Sequence, residues 1–290
     1  MPTLNQEIID LYDEYTHKPL PRRVFIERLS ALVGGTAAAY ALLPLLDNNF
    51  AVAAQVEEND PRISVERVTY KGAGTDMKAY VAVPAGGAKA PAVVVIHENR
   101  GLNAHIEDVA RRAAAAGFVA VAPDGLSPMG GTPADQDQAR EMIGKLDRDQ
   151  TIANLVATVA YAAKHPRSIG KVGCVGFCWG GGMTNQMAVH AKMAGIAAVA
   201  PFYGSQPTAE DVAKIKVPIQ AHYAGIDERI DAGIPAFEAA LKANKIKYEI
   251  FIYEGAQHAF HNDTSTERYN EAAAKLAWQR TIEFFKKNLV

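Results

Sequence analysis

The chain has 290 residues, 49% of them hydrophobic, which suits one large α/β domain with an N-terminal preamble better than two small domains. Its net charge of -2, with basic residues scattered rather than striped, provides no field to recruit nucleic acid. Two cysteines, Cys174 and Cys178, exclude a disulfide framework, and their C-x3-C spacing is not that of a thioredoxin-like pair.

Residues 1–60 read as an N-terminal extension. In "PRRVFIERLSALVGGTAAAYALLPLLDNNFAVAAQ", Arg22 and Arg23 precede Val24, Phe25 and Ile26, an apolar run covers residues 31–46, and Ala51, Val52 and Ala53 suit a cleavage site. This resembles a twin-arginine export signal, which implies the export machinery as a partner, a periplasmic or exported protein and a mature N-terminus near Ala54. The apolar run is shorter than the ~20 residues a spanning helix needs, so no permanent membrane anchor is expected. The acidic stretch before the arginines (Glu7, Asp10, Asp13, Glu14) and the nearby Glu27 support another reading. In it, residues 4–17 and 22–43 are helices packed on the domain or on a second copy in a homodimer, and the protein stays cytoplasmic with an ordered extension.

Residues 61–290 alternate strand and helix. "ISVERVTY" and "MKAYVAVP" flank the turn "KGAGTD" as an antiparallel hairpin at a sheet edge. "APAVVVIHE" is a continuous apolar run, as in a strand buried on both faces. A helix "HIEDVARRAAAAG", a strand "FVAVAPD", a helix over residues 147–165 and the strand "GKVGCVGF" follow. Then come a helix over residues 180–192, the strands "IAAVAPFYG", "VPIQAHYAG" and "KYEIFIYEG", the helix "AGIPAFEAALKANK" and a terminal helix from about Glu267. This order implies a mostly parallel sheet with helices on both faces, a three-layer α/β/α sandwich whose ligands bind at the carboxyl ends of the strands.

"VGFCWGG" places Cys178 between Gly176 and Gly180 at a strand-to-helix junction, the G-x-Nuc-x-G pattern of a nucleophile elbow. The turn is so tight that a side chain at either glycine would collide with backbone, and the helix N-terminus favours a thiolate. An elbow requires an acid and then a histidine, each after a strand. "AGIDERID" supplies Asp227, with Asp231 as a nearby rival, and "EGAQHAFHND" supplies His258. The oxyanion donors expected are the backbone N–H groups of Trp179 and, in the loop after "VVVIH", of Asn99. Tyr203, Phe260 and His261 are pocket candidates; His222 is a weaker one, and Asp124 is expected to cap the loop after its strand. "HENRGLNAH" is not H-E-x-x-H, so neither metal nor organic cofactor is expected.

Taken together, the cysteine elbow, "HENRGLN", and the G-x-D and H-x-F segments resemble the dienelactone hydrolase (carboxymethylenebutenolidase) family of α/β-hydrolases over residues 61–290. The resemblance implies the α/β-hydrolase fold and a small ester or lactone substrate. It matches Cys178, Asp227 and His258 to the family triad. It matches Glu98 to a glutamate that contacts the resting cysteine and helps switch it to thiolate. The family's dienelactone-cleaving members hold the substrate carboxylate with two arginines. This chain reads "GLSPMGG" and "FHND" at those places, leaving Arg100 and Arg229 as stand-ins outside the motif. The function expected is therefore cysteine-dependent hydrolysis of esters or lactones through an acyl-thioester. A thiol redox or peroxide-reactive protein and a non-catalytic binding protein on this scaffold are the alternatives.

Overall fold

The computed structural model describes residues 4–18, 20–49 and 54–290. The proposed cleavage residues Ala51, Val52 and Ala53 lie outside the described residues. Three helices lead: α1 (Gln6–His17), α2 (Arg22–Val33) and α3 (Thr36–Leu46). The domain follows with β1 (Ile63–Lys71), β2 (Asp76–Pro84), β3 (Ala90–Ile96), α4 (Ala104–Ala115), β4 (Val119–Pro123), α5 (Gln136–Ile143), α6 (Arg148–Lys164) and β5 (Ser168–Phe177). Next are α7 (Trp179–Val189), α8 (Ala191–Ala194), β6 (Ile196–Phe202), α9 (Ala209–Val212), β7 (Ile219–Ile226), α10 (Glu228–Asp231), α11 (Ile234–Ala243), β8 (Tyr248–Gln257) and α12 (Glu271–Leu289).

The strands form one sheet in the order β1-β2-β4-β3-β5-β6-β7-β8. β1 pairs antiparallel with β2 from Ile63↔Pro84 to Lys71↔Asp76, and β2 is antiparallel to β4. From β4 onward the pairings are parallel. This is the α/β-hydrolase fold. Two apolar clusters cover the two faces: one holds Val94, Leu155, Val172 and Met187, the other Val95, Val109, Val175 and Phe285. β3 and β5 are buried at almost every position in their carboxyl-terminal halves, which is why both read as unbroken apolar runs. β4 and β5 lie on opposite sides of β3, so the chain direction switches there, and a crevice opens at the carboxyl ends of β3 and β5.

The extension has a small core of its own. Leu11, Tyr12 and Tyr15 of α1 pack against Phe25 and Leu29 of α2 and Ala39, Leu43 and Leu46 of α3. Phe25 stacks on Tyr15 with ring centroids 4.3 Å apart. Arg22 pairs with Asp137 of α5, whereas Arg23 is exposed beside Glu27. Among the described residues no single helix is long and apolar enough to cross a membrane; α2 and α3 meet that length and composition only together, bent by 108°.

Candidate active site

The elbow forms where the sequence places it. Cys178 joins β5 to α7 with φ 55° and ψ −114°, a conformation a non-glycine residue holds only when its surroundings over-determine it. Its N–H donates to the carbonyl of Phe202 at 3.1 Å. A Cβ on Gly176 would lie 2.2 Å from the carbonyl oxygen of Gly180, and a Cβ on Gly180 would lie 2.4 Å from the carbonyl oxygens of both Ile96 and His97. No side chain fits at either place, so the turn requires both glycines.

Behind the elbow, His97 is buried with Nδ1 2.6 Å from the carbonyl of Glu98 and Nε2 2.9 Å from the N–H of Gly125. These partners assign the proton to Nδ1. Burial holds this ring below the ordinary histidine range. Its face stacks on Trp179 at 5.1 Å, which fixes the indole at the start of α7.

Asp227 follows β7 and caps α10, its Oδ1 accepting from the N–H of Ile230. Its Oδ2 lies 2.5 Å from Nδ1 of His258, which follows β8. Both side chains are buried, and Nε2 of His258 is buried without a hydrogen-bond partner. Asp231, the rival acid, is only partly buried; burial and the neighbouring Asp227 push its carboxyl up to about 6.

The hydrogen bond recorded for the Cys178 sulfur is to an unexpected residue. Sγ lies 3.1 Å from Nε2 of His17, the last residue of α1. Nδ1 of His17 lies 2.9 Å from the carbonyl of Asp13 and 3.0 Å from its Oδ1. The rings of His17 and His258 meet edge to face at 4.5 Å. One ligand atom each from His17, Cys178 and His258 lies within 4.8 Å of the others, a grouping that could hold a metal ion. Sequence reasoning missed His17 and Asp13. Their i,i+4 spacing on an amphipathic helix pairs acid with base, but nothing local names the thiol they face.

Glu98 is buried, accepting from Asn262 Nδ2 at 2.6 Å and from the Tyr203 hydroxyl at 3.3 Å. Among the described residues Glu98 makes no hydrogen bond to Cys178, whose Sγ faces His17, although the two line the same small cavity. Tyr203 is held at φ 35° with its ring 5.0 Å from that of His258, and burial pushes its hydroxyl well above the ordinary tyrosine range.

Asn99 donates from Nδ2 to the carbonyl of Thr16 at 2.8 Å. Arg100 is buried and donates to the Tyr12 hydroxyl and to Gln136, which ties it to the extension, and it lines a small cavity with Glu98, Cys178 and His258. Arg229 reaches Asp13 at 3.6 Å and His258 Nδ1 at 3.5 Å. Phe260 and His261 sit in the core. His261 stacks on Phe177 at 4.8 Å, and burial holds it well below the ordinary histidine range. They are not among the lining residues of the cleft. His222 is likewise stacked on Phe202 in the core, and Asp124 holds Thr132 and the loop after β4, as a cap should.

A cleft of about 820 Å³ opens over Cys178, His258, Trp179 and Tyr203, with Leu20, Ile143 and Arg140 on its walls. The extension supplies part of this wall through His17, Leu20 and Arg22. Cys174 lies further back along β5, wholly buried beside Thr184, and burial pushes its thiol up to about 12.

Residues 77–289 match the profile of the dienelactone hydrolase family. A putative carboxymethylenebutenolidase of Saccharolobus solfataricus is 31% identical over 258 residues, covering 77% of this chain and 98% of the relative. A putative hydrolase fragment of Escherichia coli (strain K12) is 52% identical over 113 residues, which is 38% of this chain and 96% of the fragment. The crystal structure of a putative dienelactone hydrolase from Klebsiella pneumoniae superposes with a TM-score of 0.70 at 28% identity, over 78% of this chain and 99% of that one.

Proposed function

The chain belongs to the dienelactone hydrolase family and is a carboxymethylenebutenolidase-like hydrolase, and from that premise we propose that it cleaves small esters or lactones through an acyl-thioester on Cys178. The observation that carries this reading is the strained elbow, which presents Sγ of Cys178 at the floor of the cleft with a carboxylate-oriented histidine beside it. Sγ attacks the substrate carbonyl. The N–H groups of Trp179 and Asn99 hold the oxyanion, the first of them at a helix start where N–H groups have no partner within the helix. An imidazole carries the thiol proton to the leaving oxygen, and an imidazole then draws a proton from water, which cleaves the thioester. His258 on Asp227 is the imidazole that the sequence order assigns to this work. Glu98, buried beneath Tyr203, supplies the negative charge that substrate binding moves relative to the thiol.

The depth and raised pKa of Cys174 count against a thiol redox pair with Cys178. Export by a twin-arginine route is also part of the proposal, carried by Arg22, Arg23 and the apolar run; the packing of α2 and α3 favours the alternative of an extension that stays on the protein. The N-terminal residue of the protein from its native host distinguishes the two: a start near Ala54 supports export with processing, and a start before Gln6 supports the retained extension.

Hydrolysis of p-nitrophenyl acetate and of a small unsaturated lactone bearing a carboxylate tests the reaction. Activity on either that is lost in Cys178→Ala supports the proposal, and activity that survives the substitution overturns it. The ratio of the two substrates reads how far Arg229 replaces the arginines missing from the two loops.

A further inference from the structure

We infer that His17, carried in by the N-terminal extension, is a further catalytic residue: it takes the proton of Cys178 and returns it to the leaving oxygen, while His258 serves the water step. This rests on the reading of Cys178 as the nucleophile.

Four observations support it. Sγ of Cys178 lies 3.1 Å from His17 Nε2, within reach of a thiol hydrogen bond. Nδ1 of His17 is occupied by the carbonyl of Asp13 at 2.9 Å, so in the neutral ring the lone pair is on Nε2, facing the sulfur. Asp13 is partly buried: burial opposes its ionisation, but His258, His17 and Arg229 outweigh it and hold its carboxyl well below the usual range. Nε2 of His258 is buried and partnerless at the same place, so it is available for a water.

The groups facing the pair are Asp13 on α1, His258 with Asp227 behind it, Arg229 beside Asp13, and Glu98 beneath Tyr203. Burial disfavours the charged form of His17, and the Cys178 sulfur and Asp13 outweigh burial and the opposing His258, so the ring is held above the ordinary histidine range.

The steps balance as follows. The S–H bond breaks as Nε2 of His17 takes the proton. The thiolate forms the S–C bond, the C–O bond of the ester breaks, and the alkoxide takes the proton back from His17. His258 then takes a proton from water. The hydroxide displaces the thiolate, the S–C bond breaks, and the thiolate takes the proton from His258.

The test is pre-steady-state hydrolysis of p-nitrophenyl acetate with EDTA present, together with the pH profile of iodoacetamide alkylation of Cys178. His17→Gln is expected to slow the burst about 10²-fold and to raise the alkylation midpoint by about one pH unit. His258→Gln is expected to keep the burst and lose the steady state. Asp13→Asn leaves the ring in place and is expected to raise the midpoint by a smaller amount. A merely structural His17 would change the alkylation rate at every pH without moving the midpoint. Unchanged burst and unchanged midpoint in both His17→Gln and Asp13→Asn overturn the inference. A burst that survives in Cys178→Ala overturns the parent reading instead.

Discussion

Two histidines face one sulfur, and they reach it from opposite ends of the chain. His258 sits in the loop after β8, oriented by an aspartate that comes from another strand end. His17 ends α1 and is oriented by an aspartate one turn earlier on the same helix. The first pair is built into the sheet rim and moves only with the fold. The second is held by side chains that reach up from the rim: Arg100 to Tyr12, Asn99 to Thr16, and Arg140 to the carbonyl and ring of Tyr15. Two carboxylate-oriented histidines thus approach one thiol, one carried by the sheet and one by a docked segment.

Substitutions at the two regions should separate them. The largest effect is expected on the sheet-rim side. Cys178→Ala should lower ester turnover by at least about 10³-fold with little change in urea midpoint, because the residue supplies chemistry and little packing. Gly180→Ala should lose both, since its Cβ would meet two carbonyl oxygens; a destabilisation of about 2–3 kcal/mol in urea unfolding is expected, with turnover falling alongside.

The buried network behind the cleft should give a smaller effect, one that depends on pH. Asp263 accepts from His105 at 2.9 Å and pairs with Arg112, which also pairs with Asp108. Burial opposes ionisation of Asp263, but His105 and Arg112 outweigh it, so the folded carboxyl titrates below its unfolded value. The native state therefore binds fewer protons than the unfolded state in acid. The stabilisation is fully present above the unfolded pKa of about 4 and is lost as pH falls below it. Asp263→Asn should cost about 2 kcal/mol at pH 7, and the difference from wild type should shrink in unfolding measured below about pH 4.

The smallest effect belongs to the outer face of the extension. Arg28 pairs with Glu14 at 3.0 Å with its side chain half exposed. Arg28→Ala should change stability by less than about 1 kcal/mol and leave turnover unchanged, as measured by thermal unfolding and ester assay. A large loss of turnover there would mean that the extension is far less firmly docked than its contacts with Asn99, Arg100, Asp137 and Arg140 indicate.

Much of the fold is legible in the sequence because the buried strands leave no choice of pattern. "AVVVI" and "VGCVGF" are apolar throughout where both faces are covered, and the edge strand β1 carries exposed polar residues, whereas β2 between β1 and β4 is buried continuously from Ala79 to Val83. The helix over residues 136–143 was not legible, because its short, polar sequence buries only Ala139 and Ile143. The elbow can be read because its glycines are a steric necessity of the turn. His17 cannot be read in the same way, because its target is 161 residues away and no steric rule links a helix end to the elbow. Phe260 and His261 follow His258 closely in sequence, which points to the pocket. The turn after Ala259, which holds a φ of 66°, sends them into the core instead.

Acid-quenched mass spectrometry during p-nitrophenyl acetate turnover locates the acyl group that Cys178 is proposed to carry. An acetyl adduct on the peptide containing Cys178, accumulating in His258→Gln and absent in Cys178→Ala, is the predicted result. Turnover with no adduct on that peptide, or with the adduct on another residue, would contradict it.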